Sequence, residues 1–173
     1  MQPTIKRLKK ASILILLLTA IAGFGYRLSA TPETPNATFT TLKGDTFSMT
    51  SLQGKVVLVN FWATSCRSCV AEMPELIQTY KQYQDKDFEI VAVAMPYDPP
   101  AQVVAFSEQK HLPFPVMHDG YGAITRQFGS VNVTPTTYLY NKDGKRIQRV
   151  VGTLDFKKLH ALLDKELINK GTN

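Results

Sequence analysis

The chain contains two cysteines, Cys66 and Cys69, set in the run Asn60-Phe61-Trp62-Ala63-Thr64-Ser65-Cys66-Arg67-Ser68-Cys69. Two thiols at this spacing, directly after an apolar β-forming stretch and at the start of a helical pattern, suit reversible disulfide exchange. At a helix N-terminus, unpaired N–H groups and the helix dipole stabilise a thiolate, lowering a thiol pKa from ~8.5. Cys66 occupies that position and is the candidate nucleophile. Cys69 follows one turn deeper on the same face, within reach of a mixed disulfide on Cys66, and is the candidate resolving thiol. Arg67 places positive charge beside the pair, which favours the thiolate and moves the potential toward the oxidising side.

Other uses of two thiols fit less well. A structural disulfide usually joins distant segments, and the loop between these residues closes too little chain to stabilise much. Zinc usually needs four ligands, and His111, His118 and His160 are distant in sequence. Covalent haem attachment requires histidine after the second cysteine, where Val70 stands. Copper(I) held by both thiolates, with Met73 or Met95, remains the non-enzymatic alternative. The exchange reading needs no cofactor and no metal.

Two further features can support the pair. Val133-Thr134-Pro135-Thr136 precedes a predicted strand; a lone proline there is commonly a strand-edge breaker. Beside a Cys pair, a cis-proline turn is the preferred reading, with the Thr134 backbone left free to bond an incoming polypeptide strand. Glu72 lies three residues after Cys69. Either it faces solvent like most helical acids, or it lies under the disulfide with a raised pKa and exchanges a proton with Cys69.

The elements that must position these groups are legible in the apolar pattern. Thr38–Leu42 and Thr46–Met49 alternate around Lys43-Gly44-Asp45, a hairpin pattern. Val56–Trp62 and Phe88–Met95 read as buried central strands. Arg67–Gln84 has helical spacing, with Pro74 placed to kink it. Asp98-Pro99-Pro100 acts as a breaker before a helix from Ala101 to His111. An extended piece over Pro113–Val116, a short helix over Gly122–Phe128, strands over Thr136–Tyr140 and Arg146–Val151, and an amphipathic helix over Phe156–Ile168 complete the order. This order predicts one α/β domain with a mixed sheet flanked by helices.

The formal net charge is +6, yet residues 1–30 hold five basic side chains and no acidic ones, leaving 15 basic against 14 acidic residues beyond them. The basic pI therefore reports the N-terminus and gives no support to nucleic-acid binding. Lys6–Lys10 followed by 16 uncharged, mainly apolar residues to Tyr26 reads as an export segment, either cleaved or retained as a membrane anchor. As a helix it spans roughly 24 Å, against a hydrocarbon core of ~30 Å. Residues 1–30 are thus a signal sequence or anchor, 31–36 a polar, proline-bearing linker, and 37–172 the folded domain.

Val59-Asn60-Phe61-Trp62-Ala63-Thr64, the Cys66-x-x-Cys69 pair, Glu72-Met73-Pro74 and Thr134-Pro135 together resemble the TlpA/ResA/CcmG group of thioredoxin-fold proteins, over about residues 37–170. The resemblance implies a thioredoxin fold with an N-terminal hairpin and a central insert of a strand and a helix around residues 96–118. It also implies Cys66 as attacking thiol, Cys69 as resolving thiol, Thr134-Pro135 as the cis-proline loop and Glu72 as a buried acid. Asn60 stands where cytoplasmic thioredoxins carry a buried Asp. Ser65 replaces a common Trp, and Arg67-Ser68 replaces the familiar x-Pro between the cysteines. The expected partners are periplasmic protein disulfides, in cytochrome c maturation or metal-centre assembly, and a membrane thiol reductase as electron donor. A monomer is expected, exported to the periplasm and held at the inner membrane if its N-terminal segment is retained.

Overall fold

The computed structural model describes residues 34–168. The expected export segment and the first half of the linker lie outside them. Two short strands, β1 (Thr38–Thr40) and β2 (Thr46–Ser48), pair antiparallel as a hairpin. Then follow β3 (Val56–Trp62), helix α1 (Arg67–Tyr83), β4 (Phe88–Ala94), α2 (Pro100–Lys110), β5 (Val116–His118), α3 (Ala123–Gln127), β6 (Thr136–Tyr140), β7 (Arg146–Val151) and α4 (Phe156–Ile168).

The main sheet has the order β5-β4-β3-β6-β7. β3 pairs parallel with β4 and antiparallel with β6, which makes the sheet mixed with β3 at its centre. Every residue of β3 is buried, which explains why it reads as an unbroken apolar run instead of an alternating one. Its side chains divide by parity. Val56, Leu58 and Trp62 enter one core with Cys69, Met73 and Leu76 of α1, Val103 of α2, and Leu159 and Leu163 of α4. Val57, Val59 and Phe61 enter the other, covered by the hairpin through Phe39 and by the α3 region through Ile124 and Phe128. This is the thioredoxin-like arrangement, with the hairpin and the α2–β5 insert in the expected places.

Three details differ from the sequence reading for local reasons. The hairpin ladder stops at Thr40, because the Leu42 N–H donates instead to the Val116 carbonyl at 2.8 Å, tying the hairpin to β5. β5 begins only at Val116, since Pro113 and Pro115 have no N–H to offer a neighbour; Pro115 contributes its carbonyl to Ala92 at 2.9 Å. The end of the stretch read as a linker is tied down: Thr34 Oγ1 donates to the Gly144 carbonyl in the β6–β7 turn. Helix α1 runs on through Pro74.

Candidate active site

Trp62 ends β3, and a tight turn delivers the chain to Cys66, the N-cap of α1. Cys66 and Cys69 form a disulfide with Cα atoms 5.3 Å apart. The Cys69 backbone N–H donates to Cys66 Sγ at 3.2 Å. Ser68 Oγ lies 3.4 Å from the same sulfur; a disulfide sulfur has no proton, so the hydroxyl is the donor. Cys66 is half-buried whereas Cys69 is 1 % exposed. A partner sulfur can therefore approach Cys66, while Cys69 is shielded in the core.

The turn before Cys66 is held from the β4–α2 loop. The Asp98 carboxylate, in a residue only 1 % exposed, accepts from the Thr64 N–H at 2.7 Å and from the Thr64 hydroxyl at 2.5 Å. His118 Nε2 donates to the Asp98 carbonyl at 2.8 Å, which places a proton on that nitrogen. The Asp98 carboxyl group is buried with oriented donors as partners, the arrangement that makes a buried polar group tolerable.

The Thr134–Pro135 peptide is cis. In the β3–β6 register Thr136 faces Phe61, so the residues before it lie at the end of the sheet where β3 hands over to the Cys turn. Among the described residues, the Thr134 backbone N–H and carbonyl make no backbone hydrogen bond. Its hydroxyl lies 3.2 Å from the Tyr97 hydroxyl.

Glu72 takes the buried position and not the solvent-facing one. It is 5 % exposed, on the face of α1 that carries Cys69. One oxygen accepts from the Leu154 N–H at 2.5 Å, and the other, Oε2, has no hydrogen-bond partner among the described residues. Burial pushes its carboxyl above the usual range, opposed by the Leu154 bond. Asn60, also buried, donates to Thr137 Oγ1 across the β3–β6 pair at 3.0 Å.

Of the methionines named for copper, Met73 shares the core of Cys69, whereas Met95 lies in the core on the opposite face of the sheet. Among the described residues, no three His, Cys, Asp or Glu side chains gather into a metal-holding group.

The Redoxin family profile matches residues 30–163. The chain belongs to the Redoxin family. Among curated relatives, the thiol-disulfide oxidoreductase ResA of Bacillus cereus (strain ATCC 10987 / NRS 248) is 34% identical over 162 residues, covering 88% of this chain and 92% of the relative. Among solved structures, one described as a thioredoxin candidate from Neisseria meningitidis superposes with a TM-score of 0.74 at 39% identity, covering 83% of this chain and 93% of that one. A secreted Mycobacterium tuberculosis disulfide oxidoreductase, homologous to E. coli DsbE, gives a TM-score of 0.67 at 26% identity, covering 76% and 97%. This Redoxin-family protein is a thiol:disulfide oxidoreductase carrying a Cys-x-x-Cys pair, as the resemblance to the TlpA/ResA/CcmG group implies. Sequence reasoning missed Thr64, Tyr97 and Asp98. Asp98 reads as part of a Pro-rich breaker, and the partners that give it a role come from segments far from it in sequence.

Proposed function

We propose that the protein reduces disulfides of polypeptide substrates outside the cytoplasm, with Cys66 attacking and Cys69 resolving. The observation that carries this reading is the unequal burial of the two sulfurs at the head of α1. In the reduced protein, the Cys66 thiolate attacks one substrate sulfur. A Cys66–substrate S–S bond forms as the substrate S–S bond breaks, and the departing thiolate takes up a proton. Cys69 then loses its proton and attacks Cys66 Sγ, closing the protein disulfide and releasing the second substrate thiol. The substrate gains two electrons from the protein and two protons, one matched by the proton that Cys69 gives up and the other taken from solvent. A membrane thiol reductase is the proposed donor that restores the dithiol.

The supporting groups take their places in this scheme. The N–H groups at the head of α1 favour the Cys66 thiolate. Glu72, buried and raised in pKa, is suited to accept the Cys69 proton. The unpartnered Thr134 backbone beside Pro135 is free to pair with an extended substrate segment. Export is supported by the basic and apolar pattern of residues 1–26 and by a secreted relative. Apocytochrome c cysteines, or the thiols of a metal-centre protein, are the proposed substrates.

The test is trapping in cells with Cys69→Ser. An unresolved mixed disulfide on Cys66 with an exported thiol protein is expected. Absence of any adduct, together with failure of the wild type to reduce a model disulfide, overturns the reading. Tight anaerobic Cu(I) binding in place of disulfide turnover would assign the thiols to a copper carrier.

A further inference from the structure

We propose that Tyr97 is a specificity-determining residue, an anchored aromatic wall against which the side chain next to the attacked substrate cysteine packs. The inference rests on the disulfide-exchange reading and names the substrate feature that the site selects: an apolar residue flanking the cysteine of an extended polypeptide.

Tyr97 is 60 % exposed, and a single exposed aromatic is ordinary. Its anchoring is not. The Tyr97 hydroxyl is 3.2 Å from Thr134 Oγ1, on the loop of the cis peptide. On one side of it, the Met95 N–H donates to the Trp62 carbonyl at 2.9 Å, and the Asp98 N–H donates back to the Met95 carbonyl at 3.0 Å. On the other, Asp98 is buried and grips Thr64, two residues before Cys66. The β4–α2 loop therefore braces both flanks of the disulfide, the Cys turn through Asp98 and the cis-proline loop through Tyr97. An exposed ring held at its polar tip and at its backbone has little freedom left to lose when a ligand packs on it, which is the advantage of preorganisation.

The surroundings indicate what packs there. Val133, 50 % exposed, precedes Thr134 in the chain, and Tyr97 reaches the Thr134 side chain through its hydroxyl. These two side chains give the unpartnered Thr134 backbone an apolar rim. A polypeptide strand pairing with Thr134 would lay the side chains beside its cysteine on this rim. A small disulfide reaching Cys66 has no such groups.

The experiment uses the full chain, reduced with a small dithiol, and three oxidants: hydroxyethyl disulfide, a disulfide-linked extended peptide with Leu flanking its cysteine, and the same peptide with Ser in those positions. For Tyr97→Ala, the ratio of kcat/KM on the Leu peptide to the rate with hydroxyethyl disulfide should fall about five-fold, the size expected for one lost aromatic contact. The loss should appear in KM, be small on the Ser peptide, and be only partly rescued in Tyr97→Phe, which keeps the ring and loses its bond to Thr134. An unchanged ratio, an equal loss on both peptides, or a loss confined to kcat overturns the inference while leaving exchange intact. A wild type inert toward all three oxidants overturns disulfide exchange itself and the inference with it.

Discussion

Glu72 and Asp98 are both buried acids, and their surroundings give them opposite consequences. Asp98 accepts two hydrogen bonds from the half-buried Thr64, so removing its carboxylate leaves the Thr64 N–H without its partner and its hydroxyl with Gln102 Oε1 alone. Asp98→Ala should destabilise the oxidised protein by about 3 kcal/mol in urea unfolding, with Asp98→Asn costing less. Among the described residues Glu72 has one hydrogen-bond partner and one bare oxygen, and burial raises its pKa above the ordinary 4.5. A group whose pKa is higher folded than unfolded lends stability that is fully present below the unfolded pKa and disappears as pH rises through the folded one. Glutamine has no charge to bury. Glu72→Gln should therefore gain on the wild type between pH 4 and pH 7, as read by unfolding free energies at both. A difference independent of pH would mean that the carboxyl titrates normally. Cys66 and Cys69 were legible as a pair because residue type and spacing mark them, whereas the cis peptide before Pro135 was legible only with the Cys pair as its context. Asp98 was not, because its role depends on being folded against Thr64, 34 positions away.

At the scale of elements, the same periodicities that made the sheet readable also explain what was misjudged. β3 and β4 are long enough for their β-forming runs to be unambiguous, and α1 is marked by its apolar stripe. β5 is only three residues, and its start depends on which residues lack N–H groups, a detail finer than a hydrophobic pattern resolves. The hairpin was legible as alternation around Gly44, but not its attachment to β5 through Leu42. Its function in the fold is to cover the face of the sheet opposite Cys69. Phe39 is fully buried there, with its ring centroid 5.3 Å from Phe47 and 6.4 Å from Phe128. Phe39→Ala should cost about 3–5 kcal/mol of unfolding free energy. Because it opens the other core, the rate of exchange with hydroxyethyl disulfide should change far less than the stability. A rate that falls in proportion would show that the two faces of the sheet are coupled.

Across the whole molecule, the groups around the disulfide come from successive loops at one end of the sheet: the Cys turn after β3, Tyr97 and Asp98 after β4, and Thr134-Pro135 before β6. A central strand flanked by one parallel and one antiparallel neighbour brings these loops together. Charge is organised differently. Outside residues 1–30 the chain carries 15 basic and 14 acidic residues, and the ion pairs among the described residues, Lys55–Glu89, Lys142–Asp87 and Lys158–Asp155, each have at least one substantially exposed partner. Such a surface exerts little long-range pull on a partner. Next to Cys66, the exposed Arg67 adds a local positive charge. Encounter with an uncharged peptide disulfide should then be nearly independent of ionic strength, varying less than about two-fold from 0.05 M to 0.5 M salt. A peptide with Asp next to its cysteine should react faster at low salt and lose that advantage as salt rises, and Arg67→Ser should remove the difference. Stopped-flow rates on both peptides measure this directly. A steep salt dependence with the uncharged peptide would instead place a broad electrostatic field around the exchange site.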